Sequence, residues 1–365
     1  MKHLLQGMKI LTYLFVIATG SFVNISLQAA ERVEFYNGVR GLGMGGASIG
    51  VVNDETALLL NPAGMGKLRN AFVTLIDPEI HVNSDSSNAL ISGGGSLESM
   101  NTAQGIVDEL GTNANQSSHF GYQLFPSLVL KNFGIGVLYK SFYDGLTSAD
   151  GTSIDLNYRN DFAAVLGYNI SLFDGRLKFG FSGRYITREE SFLDNVTTGT
   201  SGNDFDSAKK TGTGLGLDAG LILTAPWATL PSLAFVVRDF GNTTYKLGSE
   251  TDTPEATKQT IDAALSFFPI HDNYLRSSIT FELKDALNTA TEDDITRRSH
   301  FGWELNMGDL LFLRAGWHQK SWTAGFEFAM EMAQFQMATY AEEVGDDGGT
   351  SVQDRRYVTK FVFRF

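Results

Sequence analysis

Along most of this chain, short stretches of alternating apolar and polar side chains are separated by turn-forming residues. Fourteen such stretches fall near 71–81, 119–131, 133–144, 153–169, 176–190, 211–224, 231–240, 256–268, 274–286, 297–307, 310–319, 322–331, 334–343 and 355–365. A period of two puts every apolar side chain on one face of a strand. Leu177, Phe179, Phe181 and Tyr185 oppose Lys178, Ser182, Arg184 and Arg188. Leu275, Ile279, Phe281 and Leu283 oppose Arg276, Thr280, Glu282 and Lys284, and Trp322, Ala324, Phe326, Phe328 and Met330 oppose Thr323, Glu327 and Glu331. No internal apolar run approaches the roughly 20 residues of a membrane helix.

The connections alternate as well. Short ones ("KNFG", "SLFDGR", "APWATLP", "PIHDNY", "MGDL") mostly take turns with longer polar ones at 191–210, 241–255, 287–296 and 344–354, and the first, 82–118, is the longest. The exception is Lys320–Ser321, which requires a very short loop on the long-loop side. Short turns at one end and long loops at the other, joining alternating strands, are the signature of a membrane β-barrel. A closed barrel is also the only strand structure that pairs all its backbone groups inside lipid. The pattern predicts an all-β, antiparallel, membrane-spanning barrel over 71–365. A propeller would repeat a motif every 40 to 50 residues or so, and a soluble sandwich has no need of large aromatics facing away from an internal set of charges.

Both chain ends agree. Residues 1–30 carry Lys2 and Lys9, the apolar run "ILTYLFVIATGSFVNI" and the pair Ala29-Ala30, which together read as a secretory signal peptide. The last strand, "YVTKFVFRF", alternates to a terminal aromatic, Phe365, resembling the C-terminal signal by which insertion machinery recognises outer-membrane barrels. The expected location is the outer membrane of a Gram-negative-type bacterium. A formal charge of −13 disfavours nucleic acid, and with no cysteine there is no lipid anchor, disulfide or thiolate metal site.

Between signal and barrel, 31–70, lies "GVRGLGMGGASIGVVNDETALLLNPAG". Gly41, Gly43 and Gly46 fit a dinucleotide fingerprint, and Gly46, Ser48 and Gly50 fit a hydrolase elbow. Both motifs need a buried strand upstream and a helix downstream, and neither context is present. Glycines instead suit a segment folded tightly inside a cylinder; Asp54 is placed to cap a short helix and Pro62 to end it.

The stretch "GLGMGGASIGVVNDETALLLNPAGM", with fourteen strands and the terminal Phe, resembles the long-chain fatty acid transporter (FadL-type) superfamily. That resemblance implies a lumen-filling plug built on Gly43, Gly45 and Gly46, a helical segment from Asp54 to Leu60, and a turn at Asn61, Pro62 and Ala63. It also implies passive uptake of hydrophobic small molecules such as long-chain fatty acids, released sideways through a gap in the wall. Related barrels with this N-terminal pattern partner secretion systems, so a non-transporting barrel that docks secreted or surface proteins through its outer loops is the competing expectation.

Charges on a lipid face would cost about 2–4 kcal/mol each for Arg or Lys near the midplane. Arg159, Asp161, Lys178, Arg184, Arg188, Asp218, Arg238, Asp262, Arg276, Glu282, Lys284, Glu304, Arg314, Glu327 and Glu331 are therefore expected inside, with mixed signs pairing across strands or with the plug. His81, His119, His271, His300 and His318 lack ligand spacing, so neither metal nor cofactor is assigned, and no catalytic residues are. In the first outer loop, "SLESMNTAQGIVDEL" suits a helix with Leu97, Met100, Ile106, Val107 and Leu110 as its apolar side. That side offers either a lipid-like capture surface or plain packing. Pro78 and Pro126 interrupt the first two strands nearly opposite each other, marking either a lateral portal or a bulge. Expected partners are outer-membrane lipid, a hydrophobic ligand and the barrel-insertion machinery.

Overall fold

The computed structural model describes residues 34–86, 99–248, 252–290, 294–344 and 353–364. The signal peptide, Leu97 and Phe365 lie outside these residues. The alternating stretches form one antiparallel sheet closed on itself as fourteen staves. They are β1 (Phe72–Ile76 and Glu79–Asn83), β2 (Ser117–Leu124 and Ser127–Val129), β3 (Phe133–Thr147), β4 (Ser153–Leu172), β5 (Leu177–Thr197), β6 (Lys209–Thr224) and β7 (Ser232–Arg238). The circle continues with β8 (Thr260–Phe267 and Ile270–Asp272), β9 (Leu275–Leu283), β10 (Ser299–Met307), β11 (Leu311–His318), β12 (Ser321–Ala329), β13 (Ala333–Glu343) and β14 (Gln353–Arg364). Each stave pairs with the next, and β14 returns to β1 through Thr74↔Arg364 below and Lys360↔Glu79 above.

Closure leaves both ends of the sheet on the short-turn side, as the parity of the stretches requires. The tight junction is a two-residue turn: His318 pairs with Ser321, and Gln319 and Lys320 both take positive φ (44° and 69°). The expected alternation sorts the side chains. Phe162, Leu166, Tyr168, Phe181, Tyr185, Leu215, Phe281, Trp317 and Trp322 are exposed on the outer surface, while Asp161, Arg184, Arg188, Asp218, Glu282, Arg314 and Glu327 are buried. This is the apolar band of a membrane barrel around a polar interior. Glu331 departs from the expectation: it lies exposed in the β12–β13 turn, where the strand has already ended.

The wall is uneven. β4 and β5 have 20 and 21 residues, whereas β7 and β11 have 7 and 8. At about 3.3 Å per residue, a stave of some twenty residues far exceeds an apolar band about 25 Å tall, even when tilted. β3 to β6 therefore project beyond the membrane as a half-collar. A two-residue strand, Tyr245–Lys246, absent from the sequence reading, pairs with upper β6 at Gly214 and Thr213.

The helix expected in the first outer loop forms as α3, Ala103–Leu110, preceded by a 3-10 turn at Ser99–Asn101. Thr102 accepts a hydrogen bond from Gly105 N (3.2 Å), satisfying one of the free donors of the first turn. Met100, Ile106, Val107 and Leu110 are buried, and α3 packs on Ile154, Leu156 and Phe205. Ile154 and Leu156 share the strand face of lipid-facing Phe162 and Leu166, so α3 braces the collar from outside.

Candidate functional site

Residues 34–68 fill the lumen. The sequence forces this segment into short turns: α1 (Val39–Gly43), the glycine turn Met44–Gly46, α2 (Ala57–Leu60) and a 3-10 helix, Pro62–Lys67. Asp54 accepts from Thr56 N (3.0 Å) ahead of α2. Asn61 accepts from Ala63 N (3.1 Å) and donates to Ile49 O (2.9 Å), so it caps the 3-10 helix and ties it to the preceding turn. Pro62 ends α2 as expected from the sequence and also opens the next helix, where its missing N–H costs nothing.

The plug is held at two places. Around Gly43, Gly45 and Gly46, the backbone approaches β10, β11 and β12 at their own glycines. A Cβ on Gly302 would lie 2.5 Å from Met44 O, one on Gly316 2.4 Å from Gly45 N, and one on Gly325 3.2 Å from Gly43 Cα. Gly45 and Gly46 have φ of 68° and 78°, a conformation that disfavours a side chain. Thr323 Oγ1 accepts from Gly45 N (2.9 Å) and donates to Gly43 O (3.0 Å), and Glu282 accepts from Ser48 N (2.7 Å) and Ile49 N (3.0 Å). On the far side, Asn61, Pro62 and Ala63 press on β5 and β6, where a Cβ on Gly180 would lie 2.0 Å from Ala63 N and one on Gly220 2.1 Å from Asn61 Oδ1. The glycine turn and the Asn61-Pro62-Ala63 turn are thus brought onto the wall, but the glycines that receive them were not foreseen. Their signal was present: a glycine between aromatics inside a strand, as in Phe179-Gly180-Phe181 and Phe301-Gly302-Trp303, marks a close backbone approach.

The interior charges pair as expected. Arg40 of the plug makes a bidentate bond to Glu304 (2.9 and 2.8 Å) and reaches Asp54 (2.8 Å); Arg314 bonds Glu304 (2.8 Å) and Glu327. Arg188 pairs with Asp161, Arg184 with Asp218 and Asp239, and Arg238 with Asp262. Within the plug, burial and neighbouring Asp54 push Glu55 up to about 7, and burial, with Lys178 and Arg40 adding, pushes Lys67 down to about 7.

The plug lies between two cavities. An outer vestibule of about 530 Å³ is lined by His81, His119, Lys140, Phe142, Asp144 and Tyr340 among others. A cavity of about 900 Å³ opens toward the short-turn side, bordered by Tyr36, Arg40, Lys67, Phe72, Glu304 and Arg314. Met100, Ile106, Val107 and Leu110 line neither; all four are engaged by packing.

Pro78 and Pro126 sit where the first hairpin breaks. Pairing stops at Thr74↔Ser127 and resumes at Glu79↔Gln123, so four residues of β1 face three of β2. The proline carbonyls still accept from Phe361 N (3.1 Å) and Val137 N (3.0 Å), and Phe125 N bonds Asp77. The inner side of the break is filled. Phe125, 1 % exposed, packs on Tyr36 of the plug at 6.1 Å between ring centres, and Lys360 holds Asp77 at 2.8 Å.

Compared with solved structures, the chain is similar to the P. putida toluene transporter TodX (12 % identity, 90 % of this chain and 98 % of that one, TM-score 0.53). It is similar also to the CymD monoaromatic hydrocarbon channel (10 % identity, 90 % and 97 %, TM-score 0.53) and to a Pseudomonas aeruginosa FadL homologue (12 %, 92 % and 98 %, TM-score 0.49). The fold is that of TodX and CymD. No protein-family model and no curated protein matches the sequence. With that fold, the glycine fingerprint is part of a plug: Ser48 of the apparent elbow lies buried against Glu282. Among the described residues, no three His, Asp or Glu side chains converge as a metal site.

Proposed function

We propose that the protein is a passive outer-membrane conduit for hydrophobic small molecules, with long-chain fatty acids and monoaromatic compounds the classes to test first. The observation that carries this reading is the plug between two cavities beside a broken first hairpin. The vestibule reaches down to His81 and Gln123, at the upper edge of the break in the ladder at Pro78 and Pro126, which side chains close. Phe125 belongs to the wall and its partner Tyr36 to the plug, so a shift of the plug withdraws half of that seal. Apolar cargo leaving there enters the membrane directly, gaining roughly 25 cal/mol for each Å² removed from water. No energy source is required. A capture role for Met100, Ile106, Val107 and Leu110 requires α3 to swing away from Ile154 and Leu156.

The test is uptake of radiolabelled toluene and oleate by cells carrying the protein. Wild type should speed uptake of at least one of them. A short thiol cross-link between Ile80→Cys and Tyr122→Cys, paired positions just above the break, should abolish the gain, and reduction should restore it. Cross-linked cells that take up cargo as fast as wild type would remove the lateral route. Absence of uptake for both probes, with pull-down of a partner protein by the intact barrel, would favour docking.

A further inference from the structure

We propose that His300 and His318 form a proton-sensitive latch, holding the glycine turn of the plug when both are neutral and releasing it when the pair takes up a proton. This rests on reading the barrel as a gated conduit and concerns how the gate is worked.

Both imidazoles are buried, on neighbouring staves β10 and β11. His300 Nδ1 lies 2.7 Å from Gly45 O and 3.1 Å from His318 Nδ1, and His318 Nε2 lies 3.0 Å from Glu342 Oε1. One arrangement of protons satisfies all these contacts. His318 carries its proton on Nε2 and donates it to Glu342, leaving Nδ1 as an acceptor. His300 carries its proton on Nδ1, donating to Gly45 O and sharing it with His318. Its Nε2 is then bare, and that atom has no partner in the structure.

Adding one proton breaks this arrangement whichever ring receives it. If His318 gains a proton on Nδ1, two N–H groups face each other at 3.1 Å. The conflict is relieved when His300 moves its own proton to Nε2 and accepts from His318, which leaves Gly45 O without a donor. If His300 is the ring protonated, its Nε2–H enters a site with no acceptor while its positive charge faces Lys284. The first state sets its charge on His318 against Glu342 and costs the plug its bond at Gly45, whereas the second keeps that bond but sets its charge against Lys284.

The surrounding charges set how the latch responds. Lys284 Nζ lies 3.3 Å from where a Cβ of Gly46 would stand and pairs with Glu34 at 2.5 Å. Glu282 holds Ser48 and Ile49, Thr323 holds Gly45 N, Tyr340 edges the His318 ring at 6.3 Å, and Arg356 acts on Glu342 from β14. Lys284 and Arg356 place positive charge around the pair, and Glu34 and Glu342 negative charge. Glu342 also lines the vestibule, so the relay connects the outer cavity to the plug.

The chain lacks cysteine, so Ala47→Cys, buried beside Gly46, reports exposure of the turn to a thiol reagent in purified barrels without cargo. Its labelling rate is divided by that of Ala114→Cys in the exposed first outer loop, which cancels the thiol's own titration. From about pH 7.5 to about pH 5.5 the ratio should rise about five- to tenfold, the effect of losing one hydrogen bond. His318→Phe, which leaves His300 free to donate to Gly45, should keep the ratio low at both pH values. His318→Gln is the alternative if the larger ring misfolds, and His300→Phe should keep it high at both. His81→Phe, in the vestibule, should respond as wild type. A wild-type ratio unchanged by pH, a His318 variant that still responds, or loss of the response in His81→Phe would overturn the latch. Because no cargo enters this assay, its failure leaves the conduit reading to the uptake experiment.

Discussion

The plug meets the wall twice, and the two contacts are built from different chemistry. At both, a plug turn lies against wall glycines. Around Asn61, Pro62 and Ala63 the polar bonds come from an amide side chain and backbone, with Asn169 Nδ2 donating to Ala63 O (3.2 Å). Around Gly43 to Ile49 they come from Glu282, His300 and Thr323, with His318 bonded behind His300, so ionisable side chains form this contact. Amides and backbone keep the same bonding pattern at every physiological pH, whereas carboxylates and imidazoles do not. On the proposed latch, the first contact acts as the fixed hinge and the second as the side that lets go.

The most severe way to break this comparison is to fill the glycine sites. Gly180→Val removes the space for the hinge and Gly316→Val the space for the glycine turn, placing a carbon 2.0 and 2.4 Å from plug backbone nitrogens, well inside van der Waals contact. Overpacking a close contact costs typically about 1–3 kcal/mol and more when the neighbour is backbone. Both variants should keep a heat-modifiable barrel but show raised small-ion conductance in planar bilayers, Gly180→Val more so because the hinge anchors the plug at every pH. Folded variants as tightly closed as wild type would mean that the glycine contacts do not hold the plug.

A milder cut is Asn61→Ala, which removes the cap on Ala63 N and the bond to Ile49 O. Orphaning buried groups costs about 1–3 kcal/mol each. Protease sensitivity of residues 47–67 should rise, and by the same factor at about pH 7.5 and about pH 5.5, since a neutral amide does not titrate. A pH-dependent increase would mean that the hinge and the glycine turn are not separate.

Alternation carried the staves, their order and the sorting of Arg184 inward and Phe181 outward, because a one-residue slip would turn every side chain of a strand over. A very short loop was legible from spacing alone, at Lys320–Ser321, one residue from the turn at Gln319 and Lys320. The half-collar was not: the upper end of β5 continues past 190 into "SFLDNVT", polar enough to read as loop, and becomes strand because α3 and Phe205 cover its outer face. Within the site, the plug turns were visible as glycine and Asn-Pro-Ala, since backbone conformation restricts residue choice locally. The receiving glycines meet the plug only when strands distant in sequence close around it, whereas the His300–His318 pair lies across a single hairpin whose register sets Phe301 opposite Trp317 and was missed because metal-ligand spacing does not reveal it.

The smallest effect sharpens the contrast from the plug's own charge. Lys67 is partly buried, donates to Gly50 O (2.6 Å) and lies 5.3 Å from the centre of the Phe268 ring. Burial, then Lys178 and Arg40, push its ammonium down from 10.5 to about 7. A base depressed in the folded state contributes its full stability above the unfolded value and loses it as pH falls through the folded one. The penalty therefore accumulates between about 10.5 and about 7 and is constant below. Lys67→Met should flatten the pH dependence of the unfolding midpoint across that window. The net gain at about pH 6 should stay within about 1 kcal/mol, because the variant also loses the Gly50 bond and the aromatic face. If the wild-type and variant curves run parallel from about 7 to about 10.5, Lys67 is as well solvated in the plug as in the unfolded chain. In that event the cavity on the short-turn side is open to water up to Gly50, and the plug's seal lies wholly at the two glycine contacts above it.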